Sequence, residues 1–142
     1  MVRKIFVLCG LMLCLSLSAQ SRLMGDWYTV DDKTGERLSV MHFFKGSDGK
    51  YYGRVAEMCR PEDKGKTIRH GENKGKPVVG MVVFRDFEYI DGELVNGKAF
   101  NPDDGKWYYA KLWLGKDGRL MLRGGLDKRL VLGRTQGWVR KK

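Results

Sequence analysis

The chain has 142 residues, 42% hydrophobic and 31% charged, with a formal net charge of +10. Those figures fit one globular domain and exclude a disordered chain. The cations are scattered, and even the densest stretch, Arg60 to Lys76, contains Glu62, Asp63 and Glu72, so no basic stripe argues for nucleic acid.

Arg3 and Lys4 precede an almost wholly apolar run from Ile5 to Leu15, which ends in Ser16, Ser18 and Ala19. A basic start, a short apolar centre and a small-residue end have the order of a cleavable secretory signal peptide, here residues 1–20. The run is shorter than the ~20 residues a membrane-spanning helix needs. The expected domain is therefore 21–142, in the periplasm or secreted. Removing Arg3 and Lys4, with no acid lost, lowers the charge from +10 to +8. Cys9 and Cys14 leave as well, so Cys59 stays alone and the fold must rest on packing rather than on an internal disulfide. No thiolate-activating motif surrounds Cys59, and a passive role is expected. For an exported basic domain the macromolecular partner left open is a weak contact with anionic envelope surfaces.

Turn signals then punctuate the chain: Asp32-Lys33-Thr34-Gly35, Gly46-Ser47-Asp48-Gly49, Asp91-Gly92, Pro102-Asp103-Asp104-Gly105 and Lys116-Asp117-Gly118. Gly tolerates positive φ and Asp bonds its own backbone, which is why such clusters turn. The aromatic and β-branched runs between them predict strands over 25–31, 37–44, 50–58, 78–85, 93–100, 106–114, 119–124 and 133–140. About eight strands joined by short hairpins make an antiparallel up-and-down barrel. The long polar connection 59–77 is expected to be a lid or mobile flap.

Alternation sorts each strand into two faces without saying which is inside. Leu38, Val40, His42 and Phe44 oppose Met41 and Phe43; Trp107, Tyr109, Lys111 and Trp113 oppose Tyr108, Ala110, Leu112 and Leu114. A ligand lining drawn from faces with other apolar residues takes His42, Tyr52, Phe84, Tyr109 and Trp113, with Val40, Val82 and Phe100 beside them. His42 and Tyr52 are the polar groups that would orient a ligand head, because apolar pockets use few such groups. Cations of 59–77 would meet an anionic head group at the mouth.

No catalytic motif is legible. His42 and His70 lack neighbouring cysteines or paired carboxylates, there is no nucleophile elbow or phosphate loop, and Asp103-Asp104 reads as a turn. No enzyme activity, metal or cofactor is expected.

Gly25-Asp26-Trp27 opens the domain and a basic-aromatic segment, Gly133 to Arg140, ends it. In a closed barrel the first and last strands are neighbours, so an arginine of the last strand is expected over the Trp27 indole. Arg134 is the first choice and Arg140 the second; alternation puts both on one face and cannot separate them.

Gly25-Asp26-Trp27, Tyr52-Gly53-Arg54-Val55, Pro77-Val78-Val79-Gly80-Met81, Gly97 to Lys106, Leu122-Arg123-Gly124 and Leu132 to Trp138 together resemble the bacterial family DUF2147, small exported proteins of unknown function. Gly-Asp-Trp with a late-strand arginine is also similar to the lipocalin and calycin signature. The resemblance implies a lipocalin-like barrel and supplies no activity. The expected function is binding of a small apolar or amphipathic ligand inside the barrel. The alternative is a filled barrel acting as a structural or envelope-interaction protein.

Overall fold

The computed structural model describes residues 19–142; residues 1–18, which include most of the expected signal peptide, lie outside the described residues. Eight strands follow one another: β1 (Gly25–Val30), β2 (Arg37–Lys45), β3 (Tyr51–Met58), β4 (Val82–Ile90), β5 (Glu93–Asn101), β6 (Lys106–Leu114), β7 (Leu120–Gly125) and β8 (Gly133–Arg140). Each pairs antiparallel with the next, and β8 returns to β1, closing the barrel. The closing ladder is short, with Trp27 opposite Arg140 and Tyr28 opposite Val139.

The up-and-down order gives the barrel two unlike ends. One carries residues 19–24 and the short turns 46–50, 91–92 and 115–119; the other carries the connections 31–36, 59–81, 102–105 and 126–132. The first end is packed solid. Leu23 enters the core there, and Phe43, Phe84, Phe87 and Trp138 form an aromatic plug above it. Ring centroids are 5.2 Å apart for Phe43–Phe84 and 5.6 Å for Phe84–Trp138, the latter edge to face. Such pairs add specificity to the burial of large apolar area.

The fourth strand differs from its expected bounds of 78–85. It begins at Val82 and runs to Ile90. Val78 instead belongs to the preceding connection, where its N–H donates to the Lys66 carbonyl at 3.0 Å. Alternation also breaks along this strand. Asp86 and Asn96 adopt φ of 64° and 62°. They fall in the unpaired stretch between the Arg85–Lys98 and Glu88–Val95 pairs, where the register brings Asp86 towards Gly97 and Asn96 towards Phe87. Phe84 and Phe87, three apart, are therefore both buried, as are Leu94 and Gly97 on β5. Gly97 is needed because the Phe87 ring fills its side-chain space: an added Cβ would lie 2.4 Å from that ring.

The long connection is a folded flap. Thr67 bridges Pro77, and the Ile68 N–H donates to the Lys76 carbonyl at 2.9 Å. Ile68 and Val78 are buried in the core cluster. The flap also rests on Gly105, where a Cβ would stand 2.2 Å from the His70 carbonyl oxygen. Its conformation is thus fixed by packing over part of the open end.

Candidate functional site: a half-filled barrel

Trp27 is 1% exposed, and the Arg140 guanidinium lies 3.9 Å from the centre of its ring. The indole N–H donates to the Leu23 carbonyl at 3.1 Å, and Arg140 Nη1 donates to the Met24 carbonyl at 2.6 Å. Arg140 Nη2 donates to the Arg22 carbonyl. The N-terminal segment, β1 and β8 are thereby tied together at the closed end. Burial draws the Arg140 guanidinium below its ordinary pKa while nearby Asp26 opposes the change; an arginine remains charged throughout the physiological range.

Arg134 is elsewhere. It points to the same side of β8, but at the opposite end, where it pairs with Asp32 on the rim. Six residues of strand separate it from Arg140, about 20 Å at the usual rise. Arg140, rather than the first-choice Arg134, therefore covers Trp27.

Above the aromatic plug the interior is hollow. A cavity of about 470 Å³ opens between the flap and the ends of the strands. Met41, Val55, Phe84, Phe100, Leu122 and Trp138 line its apolar part. Higher up, Thr29 and Ser39 share a hydrogen bond of 2.6 Å, and Asn101, Tyr108 and Gln136 add polar atoms. Each of the three cations that line the cavity has its own carboxylate: Arg60 with Asp63 at 2.7 Å, Lys66 with Asp103 at 3.1 Å, and Arg134 with Asp32. The lining is locally neutralised, so the flap cations that face the cavity are already engaged.

Of the five ligand-lining residues expected from sequence, only Phe84 lies on the cavity wall; Phe100, named beside them, joins it. His42, Tyr52, Tyr109 and Trp113 are on the outer face. Their strand neighbours Met41, Phe43, Ala110 and Leu112 take the interior. Val40 is buried outside the lining and Val82 is exposed. The physical reason is choice of face: two apolar-looking faces alternated, and the one carrying Lys111 is the solvent side. On β6 that lysine was the available signal, and with it Tyr108 becomes legible as interior.

The outward residues form surface stacks. His42 stacks on Phe44 and Phe44 on Tyr52, each at 5.9 Å between centroids. His42 Nδ1 is 2.7 Å from Asp26 Oδ1. The Tyr52 hydroxyl donates to Asp48, which pushes its pKa up to about 12. Lys98 lies over Tyr109 and Lys111 over Trp113, both at 5.2 Å. These are cation–π contacts on the barrel's skin.

Burial, with Glu57 nearby, raises the Cys59 thiol above its ordinary pKa, so it stays protonated near neutrality. Among the described residues no group of three or more His, Cys, Asp or Glu converges in a way that would hold a metal.

A closed eight-stranded meander with an Arg–Trp contact at its sealed end and a cavity at the other is a lipocalin-like barrel. The solved structure of protein HP1028 from Helicobacter pylori, described as belonging to the lipocalin family, is similar with a TM-score of 0.73 and 25% identity, over 84% of this chain and 83% of that one. The model of DUF2147, a family of uncharacterized proteins conserved in bacteria, matches residues 25–140, and the chain belongs to that family. No curated protein is significantly similar in sequence.

Proposed function

We propose that the protein is an exported binding module that holds one small, largely apolar or amphipathic molecule in the open half of its barrel. The observation that carries this reading is the cavity of about 470 Å³, apolar at depth and polar at the mouth. That volume falls in the range of small-molecule sites, roughly 300–1,000 Å³. The filled-barrel alternative describes only the sealed half. Because the cations lining the cavity are paired, apolar contact at depth rather than a captured anionic head supplies most of the affinity.

The test is a titration of intrinsic tryptophan fluorescence with fatty acids of graded length and their neutral alcohols. Trp138 on the cavity wall is the reporter. Saturable one-to-one binding is expected, abolished by Leu122→Trp, which fills the cavity, and unchanged by Tyr109→Ala or Trp113→Ala. Absence of binding across the panel, or loss only in the two outer-face variants, overturns the reading.

A further inference from the structure

The connection from β7 to β8 breaks the usual rule for large aliphatic side chains. Leu126, Val131 and Leu132 are 79%, 71% and 82% exposed. They do not dangle from a loose loop. The Arg123 guanidinium reaches beneath the loop and donates to the carbonyls of Leu130 at 2.8 Å and Val131 at 3.0 Å, and to Thr135 Oγ1 at 3.0 Å. Leu130 is buried under it, and the Val131 N–H donates to Asp127 Oδ2 at 3.3 Å. Three aliphatic knobs are thus held outward by a built support, so little ordering entropy remains to be lost when they are covered.

Their surroundings indicate what covers them. Lys128 and Arg129 sit within the same loop, exposed and without an ion-pair partner among the described residues. The 31–36 hairpin, with exposed Lys33, is tied alongside by the Arg134–Asp32 pair. The loop belongs to the open end, beside the cavity mouth. Protein interfaces concentrate energy in aromatic and arginine anchors seated in pockets. Here the loop presents three exposed aliphatic side chains and no aromatic one, with Lys128 and Arg129 in the same loop and Lys33 on the adjoining hairpin. Shallow insertion between lipid chains, with the cations at phosphate level, satisfies both features.

We propose that the protein docks its open end on an anionic lipid bilayer, with Leu126, Val131 and Leu132 entering the interface and Lys128 and Arg129 meeting lipid phosphates. This goes beyond the cavity reading and stands on different residues. Its consequence is that the cavity mouth faces the membrane.

Purified protein is sedimented with vesicles of phosphatidylcholine alone or mixed equally with phosphatidylglycerol. Binding is expected to the mixed vesicles and to weaken with salt, because the cations are exposed to screening. The triple variant Leu126→Ser, Val131→Ser, Leu132→Ser should lower the partition coefficient by about tenfold or more, since each buried methylene is worth about fourfold in such an equilibrium. These side chains are exposed, so the variant's thermal melt should match the parent's. Lys128→Glu with Arg129→Glu should abolish the preference for phosphatidylglycerol. A Leu132→Trp variant should shift its emission to the blue on binding. The cavity-filling Leu122→Trp variant should bind vesicles as the parent does, which separates this proposal from ligand uptake. No sedimentation with the mixed vesicles, equal binding by the triple variant, loss of binding in Leu122→Trp, or a dimer in solution that the triple variant abolishes would overturn it.

Discussion

Arg140 and Arg134 share a strand and a face, yet only one of them closes the barrel. Arg140 donates to two carbonyls of the N-terminal segment and lies over a tryptophan that is 1% exposed. Arg134 makes one ion pair on an exposed rim. Hydrogen bonds to charged groups contribute about 1.5–3 kcal/mol and a desolvated cation–π contact up to about 2 kcal/mol. Arg140→Ala is therefore expected to cost about 2–4 kcal/mol, whereas Arg134→Ala falls within the ~0–1 kcal/mol of surface pairs. Urea titrations of both variants check this; equal losses would show that the contact with Trp27 is not what holds the ends together. Sequence made Trp27 and its need for an arginine legible. It did not separate the two candidates, because period two records the face and not the height along the barrel. A second limit misplaced His42, Tyr52, Tyr109 and Trp113: period two sorts side chains into two faces without saying which of them is inside.

At the scale of the element, the turns were the most legible part of the chain, since Gly and Asp announce them by backbone chemistry. Asp91-Gly92, both with positive φ, does make the tight turn between β4 and β5. β4 was the least legible element. Its true start is hidden because Val78 to Val82 reads as continuous strand while its first residue is buried in the flap, and its end because Asp86 interrupts the alternation. The left-handed residues Asp86 and Asn96 interrupt the alternation of both strands at this point, and the Phe87 ring packs over β5, where Gly97 leaves room. Gly97→Ala should then force Phe87 out of place and cost about 1–3 kcal/mol, the usual range for overpacking. Gly65→Ala is the matching control, because nothing lies within 4 Å of its Cβ position. A urea midpoint unchanged by Gly97→Ala would mean that the two strands are not packed this closely.

For the molecule as a whole, the unlike ends assign unlike tasks: a sealed base that carries stability and an open rim that carries the cavity and the exposed loop. The base depends on residues just beyond the apolar N-terminal run. The carbonyls of Arg22 and Met24 accept from Arg140, the Leu23 carbonyl accepts from Trp27, and the Tyr51 hydroxyl donates to Gln20 Oε1 at 2.9 Å. The Leu23 side chain belongs to the core. If the chain is processed as the export proposal has it, the cut is expected to fall before Arg22, because a later one would strip the base of acceptors for the Arg140 guanidinium and, past Leu23, of its plug, at a cost comparable to losing a buried aliphatic side chain, about 2–5 kcal/mol. On the export proposal, the small residues Ser16, Ser18 and Ala19 would place the cut immediately upstream of that limit. Native protein isolated from its host should accordingly begin between Ala19 and Arg22, as read by N-terminal sequencing or intact mass. A native chain that retains Met1 would sink the export proposal. One that begins after Leu23 and still melts at the temperature of a protein starting at Ala19 would show that the base does not need its plug.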